Sequence, residues 1–89
     1  MGLDTVEFIL WSEMEFEIEI PESDAQNIFT VGQFSTYVHH KLLDIVGSNA
    51  ISEAEIFERI RKFLVSEFSI APDKITHSSM FIKDLGLDQ

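Results

Sequence analysis

Two long stretches of this chain return an apolar residue every three or four positions, and each opens on a capping signal. That spacing belongs to a helix with one buried face, not to a strand. In the first stretch Thr30 stands three residues before Gln33, and Val31, Phe34, Val38, Leu42 and Ile45 follow as one stripe until Gly47. In the second, Ser52 precedes Glu55 at the same spacing. Ile56, Ile60, Phe63 and Leu64 form its inner face, extended by Phe57 and Phe68. Glu58 and Lys62 fall one turn apart on its outside, spaced for an ion pair.

A further helix is expected from Leu3 to Phe16, where no Gly or Pro interrupts, and Pro21 ends anything longer. A short one is expected over 23–28, from the Ser23–Gln26 spacing. The run EFEIEIP alternates with period two, but it directly follows a helix and ends in Pro21, so it reads as a helix end and connection. After Ile70 the Pro72-Asp73 pair suits a single turn, and 77–79 reads as loop. Met80, Phe81, Ile82 and Leu85 are apolar enough to be pinned onto the helices. The expectation is an all-α fold, a small bundle of three main helices plus one short helix, in a single domain over residues 1–89.

The helix at 3–16 carries more apolar surface than one stripe needs. Phe8, Ser12 and Phe16 share a side with Ile9, while Leu3, Val6, Leu10 and Met14 gather on another, with Trp11 between. So small a domain hardly surrounds a helix completely. One side should face the core and the other a partner. Acids are interspersed with these residues, and unpaired buried carboxylates are costly. A docking helix has this mixture: Asp4, Glu7 and Glu13 steer while Val6, Leu10 and Met14 supply contact area.

Charge supports that reading. The net charge is −10, and the first basic side chain is Lys41. Nucleic acid and anionic membrane are poor partners for such a surface, whereas a basic protein patch is a good one. No apolar run approaches the ~20 residues that cross a bilayer. MGLDTVEF lacks the basic-then-apolar pattern of a secretory signal. There is no cysteine, which fits a reducing cytoplasmic setting.

The order of motifs carries more. The segment 56–88 contains Pro72-Asp73-Lys74-Ile75-Thr76, then Ser79-Met80-Phe81, then Asp84-Leu85-Gly86-Leu87-Asp88. In that order these resemble the first half of an acyl carrier protein. The segment 3–38 contains Leu3-Asp4-Thr5-Val6-Glu7, the Glu-x-Phe-x-Ile-x-Ile-Pro run closing at Pro21, Asp24-Ala25 and Thr30-Val31-Gly32. These resemble the second half of the same family. The two segments cover about four fifths of the chain. Their order is the reverse of the family's, with 1–46 like the second half, 53–89 like the first and 47–52 as linker. The resemblance therefore implies a circular permutation. A connection of about seven residues reaches at most ~25 Å. The GSNA sequence at 47–50 suits a natural turn or an engineered joint equally.

The family attaches 4'-phosphopantetheine to a serine at the start of the helix matching 3–16, where a helix N-terminus favours an anion. Here that position falls at the termini, flanked by Asp88 and Leu3, with Gln89 in place of the serine. Gln89 has no hydroxyl, so no cofactor is expected on this chain. The resemblance implies a non-enzymatic, cargo-free docking module of fatty-acid, lipid or polyketide biosynthesis. Its implied partners are basic patches on the synthesis enzymes, met as a monomer or a domain-swapped dimer. Two residues depart from the pattern: Ser12 stands where a large apolar residue is usual, and Trp11 where a small one is. Either change bears on the cavity that receives the family's acyl chain.

Other chemistry finds little support. His39 and His40 project about 100° apart on a helix, so they do not share a metal and read as surface histidines. Glu17, Glu19 and Glu22 lack EF-hand spacing. His77 beside Ser79 lacks an orienting acid and an oxyanion signature, which makes a hydrolase remote. The competing class is a helical protein–protein interaction module with no carrier history.

Overall fold

The computed structural model describes residues 3–87. It is an all-α bundle of α1 (Leu3–Phe16), α2 (Glu22–Ala25), α3 (Val31–Val46) and α4 (Glu53–Phe68), with 3₁₀ turns at Gly47–Asn49 and Pro72–Lys74. The radius of gyration is 12.2 Å, close to the ~12 Å of a compact chain this long.

The core is one cluster. Phe8 and Phe16 of α1, Val31, Phe34 and Val38 of α3, and Ile56, Ile60 and Leu64 of α4 are buried in it. Phe8 is the hub: its ring lies 4.8 Å from Phe34, 5.1 Å from Phe81 and 6.1 Å from Phe63. The period-two run also contributes. Ile18 and Ile20 point inward while Glu17 and Glu19 face out, although no strand pairing accompanies the alternation. Glu17 turns the chain off α1 with φ 55°, and Ile18 N–H then donates to Glu13 O at 3.2 Å.

The local signals hold at α3. Thr30 and Gln33 form the full capping box, with Gln33 N–H donating to Thr30 Oγ1 at 3.0 Å and Thr30 N–H to Gln33 Oε1 at 3.0 Å. Ser52 caps α4 by accepting from Glu55 N–H. The return contact is not made there, because the Glu55 carboxylate takes Arg59 Nε at 3.0 Å instead.

Four expectations need correction. The short helix is Glu22–Ala25 rather than 23–28, and Ser23 does not cap it: Pro21, with φ −60°, is the residue before its first turn. Ile45 is 60% exposed, because the last turn of α3 runs past what α1 and α4 cover. Glu58 pairs with Arg61 at 3.0 Å, one residue nearer than Lys62. Ile82 is 63% exposed, and Leu87 is buried in its stead after the chain turns through Gly86 at φ 69°.

The segment after α4 is a clamp on the start of α3. An α-helix leaves its first N–H groups without internal partners. Here Val31 N–H donates to Ser79 O at 3.0 Å and Gly32 N–H to His77 O at 2.8 Å. Phe81 N–H reaches Phe29 O at 3.0 Å, and Thr30 and Met80 form an isolated antiparallel bridge. Gly32 is required by this approach: a Cβ there would lie 2.7 Å from His77 O.

Candidate functional site

The α1 helix separates into two faces. Phe8, Ser12 and Phe16 are buried, whereas Val6 is 39%, Leu10 55% and Met14 79% exposed. The apolar row at i, i+4 and i+8 therefore lies open. Asp4 and Glu13 are half-buried and Glu7 is exposed. Glu13 has a structural task as well, since its carboxylate accepts Ile20 N–H at 2.8 Å and holds the 17–20 segment against the helix.

A neighbour from another element joins this face. The Glu7 carboxyl is held above its usual range, first by a hydrogen bond with Glu67 of α4, then by desolvation and by the negative charges of Glu67 and Asp4. Two carboxyl groups that close favour a shared proton. The Glu7–Glu67 approach has no sequence signature, because it depends on how α4 crosses α1.

The two unusual residues of α1 are accounted for together. Ser12 is fully buried and satisfies its hydroxyl by donating to Phe8 O at 2.9 Å. Trp11 lies flat on Phe63, with centroids 4.2 Å apart and planes at 11°. The bulk moves from the inward position to the α1–α4 seam. Arg59 bridges the same seam to Glu15 at 3.2 Å.

An apolar cavity of about 320 Å³ opens between the start of α1, α2 and the 80–87 segment. Its walls include Thr5, Phe8, Ala25, Phe34, Phe81 and Leu87. At its rim are the exposed side chains of Phe29 and Ile82. Thr5 and Leu87 thus share one cavity, which brings the described head and the described tail together. Met1, Gly2, Asp88 and Gln89, where the resemblance leads one to expect the attachment position, lie outside the described residues, and so does the side chain of Leu3.

The α2 wall is tied to α3. Tyr37 donates its phenol proton to Asp24 Oδ2 at 2.7 Å, and burial together with that carboxylate pushes the phenol above its usual range.

The histidines divide. His40 is exposed, but His39 is half-buried with Nδ1 3.1 Å from Ile51 O, so it anchors the α3–α4 connection rather than standing free on the surface. His77 stacks on Phe57 at 4.1 Å. Ser79 donates to Lys74 O at 2.6 Å and accepts from Thr76 N–H at 2.9 Å, so its hydroxyl staples the loop and does not meet His77. No group of three or more potential metal ligands occurs among the described residues. No described helix is long and apolar enough to cross a membrane.

No family model matches the chain, and no solved structure matches it.

Proposed function

We propose that the chain is a carrier domain of the acyl carrier type, with its halves permuted and its phosphopantetheine serine absent. It acts as a non-enzymatic docking module for basic patches on lipid or polyketide synthesis enzymes, in the cytoplasm. The observation that carries this reading is the division of α1: a buried face at Phe8, Ser12 and Phe16, and an open one at Val6, Leu10 and Met14. The acids Asp4, Glu7 and Glu13 flank that open face. The helix also starts beside the apolar cavity that Thr5 and Leu87 share, where an attached chain would enter.

Two measurements test it. Incubated with a phosphopantetheinyl transferase and coenzyme A, the chain keeps its mass. A chain whose ends are joined through a serine in place of Gln89 gains one arm. Failure of the joined chain to gain mass removes the carrier assignment. Leu10→Ser with Met14→Ser should weaken capture by a carrier-dependent synthase at least about tenfold, the loss of a small hot spot.

The second reading is an interaction module with the same α1 face and no carrier ancestry. It rests on the same exposed row and needs nothing from the two ends of the chain. Docking to carrier partners separates the two. A size measurement in solution distinguishes a monomer from a dimer that exchanges 56–88 between chains.

A further inference from the structure

A second open surface lies away from the exposed row of α1. The extended segment 17–20 and the outer face of α3 enclose a groove of about 840 Å³. Such a volume is within the ~300–1,000 Å³ of ordinary ligand clefts. Its floor is apolar, made by Ile18, the Tyr37 ring and the exposed Ile45. Ile45, at 60% exposure, is the aliphatic side chain that the groove leaves most open to solvent.

The charges decide what fits. Glu13, Glu17, Glu19 and Asp44 line the groove against Lys41 as the permanently charged base. Glu13 is occupied by Ile20 N–H, and the Lys41 ammonium lies 5.6 Å from the Tyr37 ring centroid. Glu17, Glu19 and Asp44 have no ion pair among the described residues. The walls are fixed in advance by the Glu13–Ile20 and Tyr37–Asp24 hydrogen bonds, so little ordering cost remains for an occupant. A second copy of this chain would set carboxylates against carboxylates, with −10 on each side. A cationic segment would meet three free carboxylates and an aliphatic floor.

We propose that this groove docks a basic amphipathic segment of a partner protein, with Lys or Arg side chains on Glu17, Glu19 and Asp44 and an aliphatic side chain on Ile45. The surface meets the α1 face only at Glu13, which borders both: its apolar anchor is on α3, and it does not use Val6, Leu10 or Met14.

The test uses a synthetic peptide of alternating Lys and Leu. Backbone amide shifts of the labelled chain are followed during titration, beside peptides with Glu for Lys and Ser for Leu. Shifts concentrated at 17–20 and 37–46, present only with the Lys–Leu peptide, support the proposal. Ile45→Ser, and separately Glu17→Gln with Glu19→Gln, should each weaken binding at least about tenfold. Val6→Ser with Met14→Ser should leave it unchanged. All these positions are exposed, so the fold is retained. Shifts spread over every acidic residue, shifts on α1 alone, or equal binding by the Ile45 variant would overturn the proposal. Loss of binding at the groove leaves the α1 reading standing, because capture by a carrier-dependent synthase tests that face separately.

Discussion

Glu7 and Glu67 show how a single contact sets the behaviour of a residue. Their proximity raises the Glu7 carboxyl, so the folded chain holds a proton there more tightly than the unfolded chain does. The sign follows. The contribution of this pair is most favourable below the ordinary carboxylate range and is lost as pH rises through the raised value. Glu67→Gln should move the Glu7 titration down toward the usual range, as read by side-chain carbon shifts against pH. An unmoved Glu7 titration would show that Glu67 is not the cause. Gly32 gives a steric counterpart. Gly32→Ala places a methyl 2.7 Å from a backbone oxygen that has no flexible end to yield. We expect a loss of about 1–3 kcal/mol in denaturant unfolding, the ordinary cost of overpacking.

Among the elements, α3 is fixed at its start by a cap and along its length by a tie to α2. Its capping box is local, so Thr30→Ala should cost about 1 kcal/mol in thermal or urea unfolding. The tie from Tyr37 to Asp24 acts on α2 instead. Tyr37→Phe should speed hydrogen exchange across residues 22–28 while leaving the amides of α4 protected, because α2 has four residues and little packing to hold it otherwise. This contrast explains what was legible in the sequence. The Thr30–Gln33 box, the Ser52 cap and the 3–16 helix are short-range patterns, and the structure has them where the spacing puts them. The inward stripe of α3 was legible as far as Leu42, which packs against the core, but not to Ile45, since exposure there depends on the helix outrunning its neighbours. Ser23 missed its cap because Pro21 had already set the entry angle. The open row Val6, Leu10 and Met14 was readable from helical spacing alone. The groove behind it was not, because no spacing announces that 17–20 will lie alongside Tyr37 and Ile45.

At the scale of the whole molecule the acids are spread along the chain, whereas Lys and Arg are confined to its second part. The first forty residues contribute no Lys or Arg. Arg59 reaches across from α4 to meet Glu15 at 3.2 Å, but with both side chains more than a third exposed this pair adds little to stability. The bundle rests on its apolar cluster. Ile60→Ala, at a fully buried position, should cost about 2–5 kcal/mol and is enough to unfold much of so small a chain. Because Thr5 and Leu87 wall one cavity, joining the two ends and opening the chain within 47–50 should preserve the helical circular dichroism. Loss of helicity in that rearranged chain would mean that the present connection is essential.

The carbonyls that satisfy the first amides of α3 belong to His77 and Ser79, some forty-five positions further along. Until those residues are in place, that helix has only the Thr30 cap at its leading end, and the amides of Val31 and Gly32 are left to water. A nascent polypeptide stopped short of His77 has the residues for all four helices but not the strap that closes over them. A fragment that ends before His77 should therefore be degraded by protease faster than one that runs through Leu87.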